Sequence, residues 1–253
     1  MSTLRRGGAF DIHDTNRTMR LIIFDFDGTL ADTRGVIVRT LQDTVAALGL
    51  PRRTDAECAA TIGLPLEGGF AQLCPDLSAD VLARCAETYR VLFDRNNTPG
   101  LVPLFPHVAE TLRALRARGY TLTIASSRGR DTLTGFVRSL GMEDAFTYVV
   151  GADDVTHHKP HAEPVLRTLA HFGLDAAADV WVVGDMTFDV LMGRDAGVRT
   201  VGVTYGNGTR AELEAAGADY VIDDLRQLLH IIDSTALDDD LTPLPEGHFV
   251  RSH

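Results

Sequence analysis

The run Leu21-Ile22-Ile23-Phe24-Asp25-Phe26-Asp27-Gly28-Thr29-Leu30 sets how the rest of the chain is read. Four apolar residues with no polar break suit a strand buried on both faces, and the acidic, glycine-containing segment after them ends it. Further apolar or β-branched runs follow at 121–125, 148–150, 180–183, 200–203 and 220–222. Between them lie helical patterns at 108–118, 131–140 and 160–172, followed by Gly119, Gly141 and Gly173, where helix ends commonly use glycine. Near-continuous apolar strands alternating with helices predict the α/β class, with a parallel sheet covered on both faces.

The interval 33–105 is too long for one crossover and must hold a module. Helical patterns at 36–48, 55–61, 66–73 and 78–96, with no good strand, make it an all-helical insertion. Entering after the first strand, it stands at the carboxyl edge of the sheet, where open α/β folds bind ligands, and is expected to cover the active site. We expect a mobile cap hinged near 32–35 and 99–103, with the 62–66 loop contributing to substrate choice. The division is therefore a core at 19–32 and 106–232, a cap at 33–105, a polar arm at 1–18 and a tail at 233–253.

Composition bounds the function. The 253 residues, 45% apolar and 23% charged, describe an ordinary folded protein. With 24 Lys and Arg against 35 Asp and Glu, the net charge of −11 lacks the basic footprint of a nucleic-acid binder. No apolar run approaches the ~20 residues of a membrane span, and residues 1–20 do not resemble a targeting signal. Cys58, Cys74 and Cys85 form no CxxC pair and read as small core residues of a reduced, cytoplasmic protein. Oligomeric state is not legible.

Four segments carry chemistry, and each has a plain structural reading beside it. Asp25 and Asp27 are also what a strand-ending turn uses. Ser126, in Ser126-Ser127-Arg128, equally suits a helix N-cap. Lys159, before a helix that Pro160 can open, equally suits a solvated loop. Asp185 and Asp189 fall on one helical face if the helix starts at Asp185, or cap a surface helix.

Taken together, they place two or three carboxylates, a hydroxyl and a lysine at one sheet edge. Such oxygens suit Mg²⁺, which completes its shell with water and substrate phosphate. Asp25 is the candidate nucleophile, forming an aspartyl-phosphate, while Mg²⁺, Lys159 and Ser126 offset charge on the transferring oxygens. Asp27 protonates the leaving alcohol and then activates water. That division expects Asp25 to be held ionised by metal and lysine, and Asp27 to be nearer neutral.

The four segments, in this order, resemble the haloacid-dehalogenase superfamily over about 21–229, most specifically in DFDGTLADT at 25–33. The resemblance implies a Rossmann-like core with a helical cap. Carried over, Asp25 is the nucleophile, Asp27 the acid and base, Ser126 the hydroxyl of the second motif, and Lys159 the neutralising lysine. Asp185 is the metal-binding acid and Asp189 its support, with metal held by Asp25, Asp185 and the backbone carbonyl of Asp27. Gly28, Thr29, Ser127 and Arg128 join Asp189 as substrate-binding or supporting residues.

Two positions depart from the commonest pattern: Ser127 stands where related phosphatases often carry Asn, and Met186 where they carry Ser or Thr. The segments Val203-Thr204-Tyr205-Gly206, 218–223 and Ile62-Gly63-Leu64-Pro65-Leu66 are similar to the phosphoglycolate phosphatase branch, and a pyrophosphatase branch is nearly as close. The expectation is a Mg²⁺-dependent phosphatase acting on a small phosphorylated metabolite, phosphoglycolate first. Its rivals are a pyrophosphatase, a phosphosugar mutase, which Thr29 disfavours, and a phospho-accepting signalling or binding module. Arg34, Arg39, Arg52 and Arg53 are candidates for a substrate carboxylate, or else solvated surface charges.

Overall fold

The computed structural model describes residues 19–98, 100–175 and 179–240. The arm at 1–18, Pro99 of the expected second hinge, and 241–253 of the expected tail lie outside them.

Six parallel strands, β1 (Arg20–Phe24), β2 (Thr121–Ala125), β3 (Tyr148–Val150), β4 (Asp179–Gly184), β5 (Arg199–Val203) and β6 (Tyr220–Ile222), form one sheet in the order β3-β2-β1-β4-β5-β6. This is the doubly wound Rossmann arrangement, and β1 stands at its centre. Leu21, Ile22, Ile23 and Phe24 are wholly buried because alternate side chains meet helices on opposite faces. Ile22 and Phe24 pack with Leu112, Leu115 and Leu228, whereas Leu21 and Ile23 pack with Val165, Leu169 and Met192.

The interval after β1 is all helix: α1 (Arg34–Ala47), α2 (Asp55–Ala59), α3 (Leu66–Leu73) and α4 (Ala79–Asn96). Thr54 and Glu57 cap α2 reciprocally, Thr54 Oγ1 accepting from Glu57 N while Glu57 Oε2 accepts from Thr54 N at 2.7 Å. Entry and exit are tied together, because Asp32 N donates to Pro103 O at 2.9 Å and Phe105 N to Leu30 O at 3.0 Å. The cap packs on the core through aromatics: Phe93 of α4 lies 6.0 Å from Phe136, which lies 5.5 Å from Phe26. Cys58, Cys74 and Cys85 are free and buried here, as small apolar residues would be.

Six helices complete the core: α5 (Val108–Ala117), α6 (Arg130–Ser139), α7 (Glu163–Phe172), α8 (Thr187–Asp195), α9 (Arg210–Ala215) and α10 (Gln227–Asp240). Two expected boundaries are corrected. The helix expected from Pro160 starts at Glu163, with Pro164 in its first turn, because Glu163 accepts Thr156 N and His157 N, both at 2.8 Å, and folds the preceding loop back. The tail expected from 233 begins inside α10, whose register is held by buried Leu228 and Ile232.

Candidate active site

The sheet order brings three acid- or hydroxyl-bearing strand ends side by side. Asp25 extends β1, its N–H donating to Val183 O at 2.8 Å; Ser126 extends β2, donating to Val150 O at 3.0 Å; Asp185 directly follows β4. Lys159, the only lysine in the chain, arrives from the loop before α7. The residue is 4% exposed, and its ammonium donates to Asp25 Oδ1 and Asp189 Oδ1, each at 2.6 Å. Burial works against that charge, but Asp189 and Asp25 outweigh it and hold Lys159 above the usual lysine range.

Asp185 and Asp189 do not share a helical face, contrary to expectation. The helix α8 starts at Thr187 with Met186 as its N-cap, and Asp189 Oδ2 accepts from Met186 N at 3.1 Å. The strand end supplies one acid and the helix's first turn the other, and oxygens of Asp25, Asp185 and Asp189 all fall within 4.8 Å of one another. Gly184 is required, because a Cβ there would collide with the Asp189 carboxyl.

Asp185 Oδ1 accepts from Thr29 Oγ1 at 3.2 Å, and Oδ2 accepts from Asn207 N at 2.7 Å and Nδ2 at 2.9 Å. Its carboxyl is pushed up to about 7 by burial and then by the charge of Asp189, against the Asn207 hydrogen bonds and Lys159. Asp25 is likewise raised well above the carboxylate range, first by burial and then, against Lys159, by Asp189, Asp185 and Asp27. A buried cluster so short of positive charge, built of hard oxygens, fits a divalent cation. Asn207 Oδ1, buried and without a partner beside Asp185, fits the water that such an ion carries.

Asp27 is gripped by Arg128, whose Nε and Nη2 donate to its two oxygens at 3.1 and 2.6 Å. The guanidinium sits 4.7 Å from the Phe93 ring and 4.8 Å from that of Phe136. Asp25 thus lies among other acids beside Lys159, whereas Asp27 has a guanidinium of its own. Ser126 Oγ accepts from Arg128 N at 3.2 Å, leaving its hydroxyl proton free to donate.

Ser127 faces elsewhere, donating to Gly63 O in the cap at 2.6 Å. Gly28, at φ 93°, lies so close to Asp185 and Asn207 that any side chain would collide with both. Thr29 is wholly buried, its hydroxyl turned to Asp185. Sequence reading missed Asn207. Its signal was Gly206-Asn207-Gly208, which follows β5 at the same edge, where a Cβ on either glycine would strike Asp185.

Above these groups opens a cleft of about 570 Å³, with Asp25, Asp27 and Ser126 on its floor and Ile62, Leu64 and Tyr89 of the cap in its roof. The profile of the haloacid dehalogenase-like hydrolases matches residues 22–203, from β1 through β5. The chain belongs to this family.

Among relatives of this haloacid dehalogenase-like hydrolase, "Probable phosphatase IndB" of Dickeya dadantii is 37% identical over 213 residues, 83% of this chain and 91% of the relative. "Pyrophosphatase PpaX" of Bacillus pumilus is 32% identical over 215 residues, 85% and 97% of the two chains. The crystal structure of a predicted phosphoglycolate phosphatase from Haemophilus somnus superposes with a TM-score of 0.77 at 24% identity, covering 85% of this chain and 98% of that one, a likeness of fold. The two departures from the commonest pattern meet at one residue of the hydrolase: Ser127 bonds the Gly63 carbonyl, and a Cβ on Gly63 would touch Met186 and Phe188 at 3.4 Å.

Proposed function

We propose that the chain is a Mg²⁺-dependent phosphatase that hydrolyses a phosphate monoester through an aspartyl-phosphate on Asp25. The observation that carries this reading is the position of Asp25, which ends the central strand between Lys159 and the Asp185–Asp189 pair and lines the floor of the cleft. Asp25 and Asp185, with the backbone carbonyl of Asp27, would hold the ion, and Asp189 would support it through Lys159 and Met186 N. When bound, Mg²⁺ supplies positive charge against the phosphoryl oxygens.

The remaining work falls to the chain. Lys159 neutralises Asp25 and the incoming phosphoryl charge, and the Ser126 hydroxyl donates to a phosphoryl oxygen. Asp25 attacks phosphorus as the ester P–O bond breaks, and Asp27, which takes up a proton from solvent as the Arg128 fork opens, passes that proton to the leaving alkoxide. Asp27 then takes a proton from the water that attacks phosphorus, returning Asp25 as a carboxylate and releasing phosphate. We place this activity on soluble metabolites in the cytoplasm, away from nucleic acid; among the described residues no helix is long and apolar enough to cross a membrane.

Turnover of a phosphate-ester panel with Mg²⁺, before and after EDTA, tests the reading, together with Asp25→Asn. The variant should fold and lose at least ~10³-fold in activity, more than one general acid or base contributes. Near wild-type turnover by Asp25→Asn would show that another group attacks phosphorus.

A further inference from the structure

The phosphatase reading leaves the alcohol half of the ester open, and the cleft constrains it by charge. Besides Asp25 and Asp27, the cleft is lined by the acids Glu67, Asp94 and Asp153. Among the described residues that line it, two carry a guanidinium, and both have carboxylates already. Arg128 is buried on Asp27, and Arg90 pairs with Glu67 at 2.8 Å on the rim. Arg34, Arg39, Arg52 and Arg53, the candidates for a substrate carboxylate, do not line the cleft. Two of them face acids four residues on, Arg39 on Asp43 at 3.8 Å and Arg53 on Glu57 at 3.7 Å.

A carboxylate or second phosphate on the leaving group would thus meet more acids than cations, with each guanidinium already committed. Glu67, Asp94 and Asp153 are exposed, so they act on an anionic leaving group as a like-charge field that salt screens, and such a field disfavours the wrong partner. The roof is apolar, with Ile37, Leu41, Ile62, Leu64, Tyr89 and Phe93 facing the cleft. The volume of about 570 Å³ lies in the range of clefts that take drug-sized molecules and far exceeds what a two-carbon acid fills.

Resting on the phosphatase reading above, we infer that the substrate is a monoester of an uncharged alcohol with an apolar face, of the size of a monosaccharide or nucleoside. Esters whose leaving group is itself anionic, phosphoglycolate and pyrophosphate among them, are discriminated against by Glu67, Asp94 and Asp153.

The test is kcat/KM with Mg²⁺ on p-nitrophenyl phosphate, a hexose phosphate, a nucleoside monophosphate, phosphoglycolate and pyrophosphate, for the wild type, Glu67→Gln and Asp94→Asn. An uncharged-alcohol ester should lead both anionic compounds by at least ~10-fold, and added salt should narrow that gap. Each variant should raise the ratio of phosphoglycolate to hexose phosphate turnover by ~3-fold or more. Phosphoglycolate or pyrophosphate heading the panel, or ratios unmoved in both variants, would overturn the inference while leaving the phosphatase reading intact. No turnover of any ester, p-nitrophenyl phosphate included, would instead sink the phosphatase reading and this inference with it.

Discussion

Arg128 reaches Asp27 across 101 residues of sequence and holds both of its oxygens, with Nε at 3.1 Å and Nη2 at 2.6 Å. Both side chains are nearly closed to solvent, so removing one leaves the other charge buried and unpaired. Arg128→Met should therefore cost about 3 kcal/mol in urea unfolding, and Arg128→Met with Asp27→Asn less than the two single costs combined. Additive costs would show that the fork contributes nothing of its own.

Asp27→Asn should separate substrates by leaving group. An amide cannot protonate an alkoxide, so activity on alkyl phosphates should fall by ~10²-fold or more, and activity on p-nitrophenyl phosphate by much less. Equal losses on the two would remove Asp27 from the acid role.

Metal binding should depend on pH with a definite sign. Burial and the charge of Asp189 push Asp185 up to about 7, well above an unfolded carboxyl. Without metal, this group's contribution to stability is fully present below its unfolded pKa and is lost as pH rises through about 7. Mg²⁺ reverses the trend, because at low pH it must displace a proton that is absent at high pH. The rise in Tm on adding Mg²⁺ should be small near pH ~5, large near pH ~8, and abolished by EDTA. A rise that shrinks with pH would contradict the placement of Asp185 at the ion.

Cap opening can be read from Lys159, the sole lysine, which lies under the site. Ser127→Ala removes the hydrogen bond to Gly63 O and should speed reaction of Lys159 with an amine-directed reagent, followed by mass spectrometry. The loss of one hydrogen bond, ~1 kcal/mol, would raise an open population by up to ~5-fold. Labelling at the wild-type rate, with or without a bound phosphate analogue, would favour a rigidly packed cap.

Sequence carried the strands and the insertion well, because a sheet buried on both faces demands uninterrupted apolar runs such as 21–24, and a long strandless gap has few other solutions. It also carried Asp25, Ser126, Lys159 and Asp185 to one edge, since strand ends share that edge. Pairings across the chain were hidden. Nothing in the vicinity of Arg128 names Asp27 as its partner, and Asn207 reaches Asp185 from 22 residues away. Helix starts also misled: Pro160 and Pro164 are both able to open α7, and the Glu163 hydrogen bonds decide between them.

The two backbone segments joining cap and core, tied by Asp32 N to Pro103 O and by Phe105 N to Leu30 O, make the insertion a modular one. By holding entry and exit side by side, the core itself meets the loop-closure entropy of the insertion, and lengthening the insertion adds only ~0.6 kcal/mol per doubling. The sheet is thereby insulated from what hangs above it. A frame built this way can exchange one roof for another, and acquire a new substrate range, without re-registering a single strand.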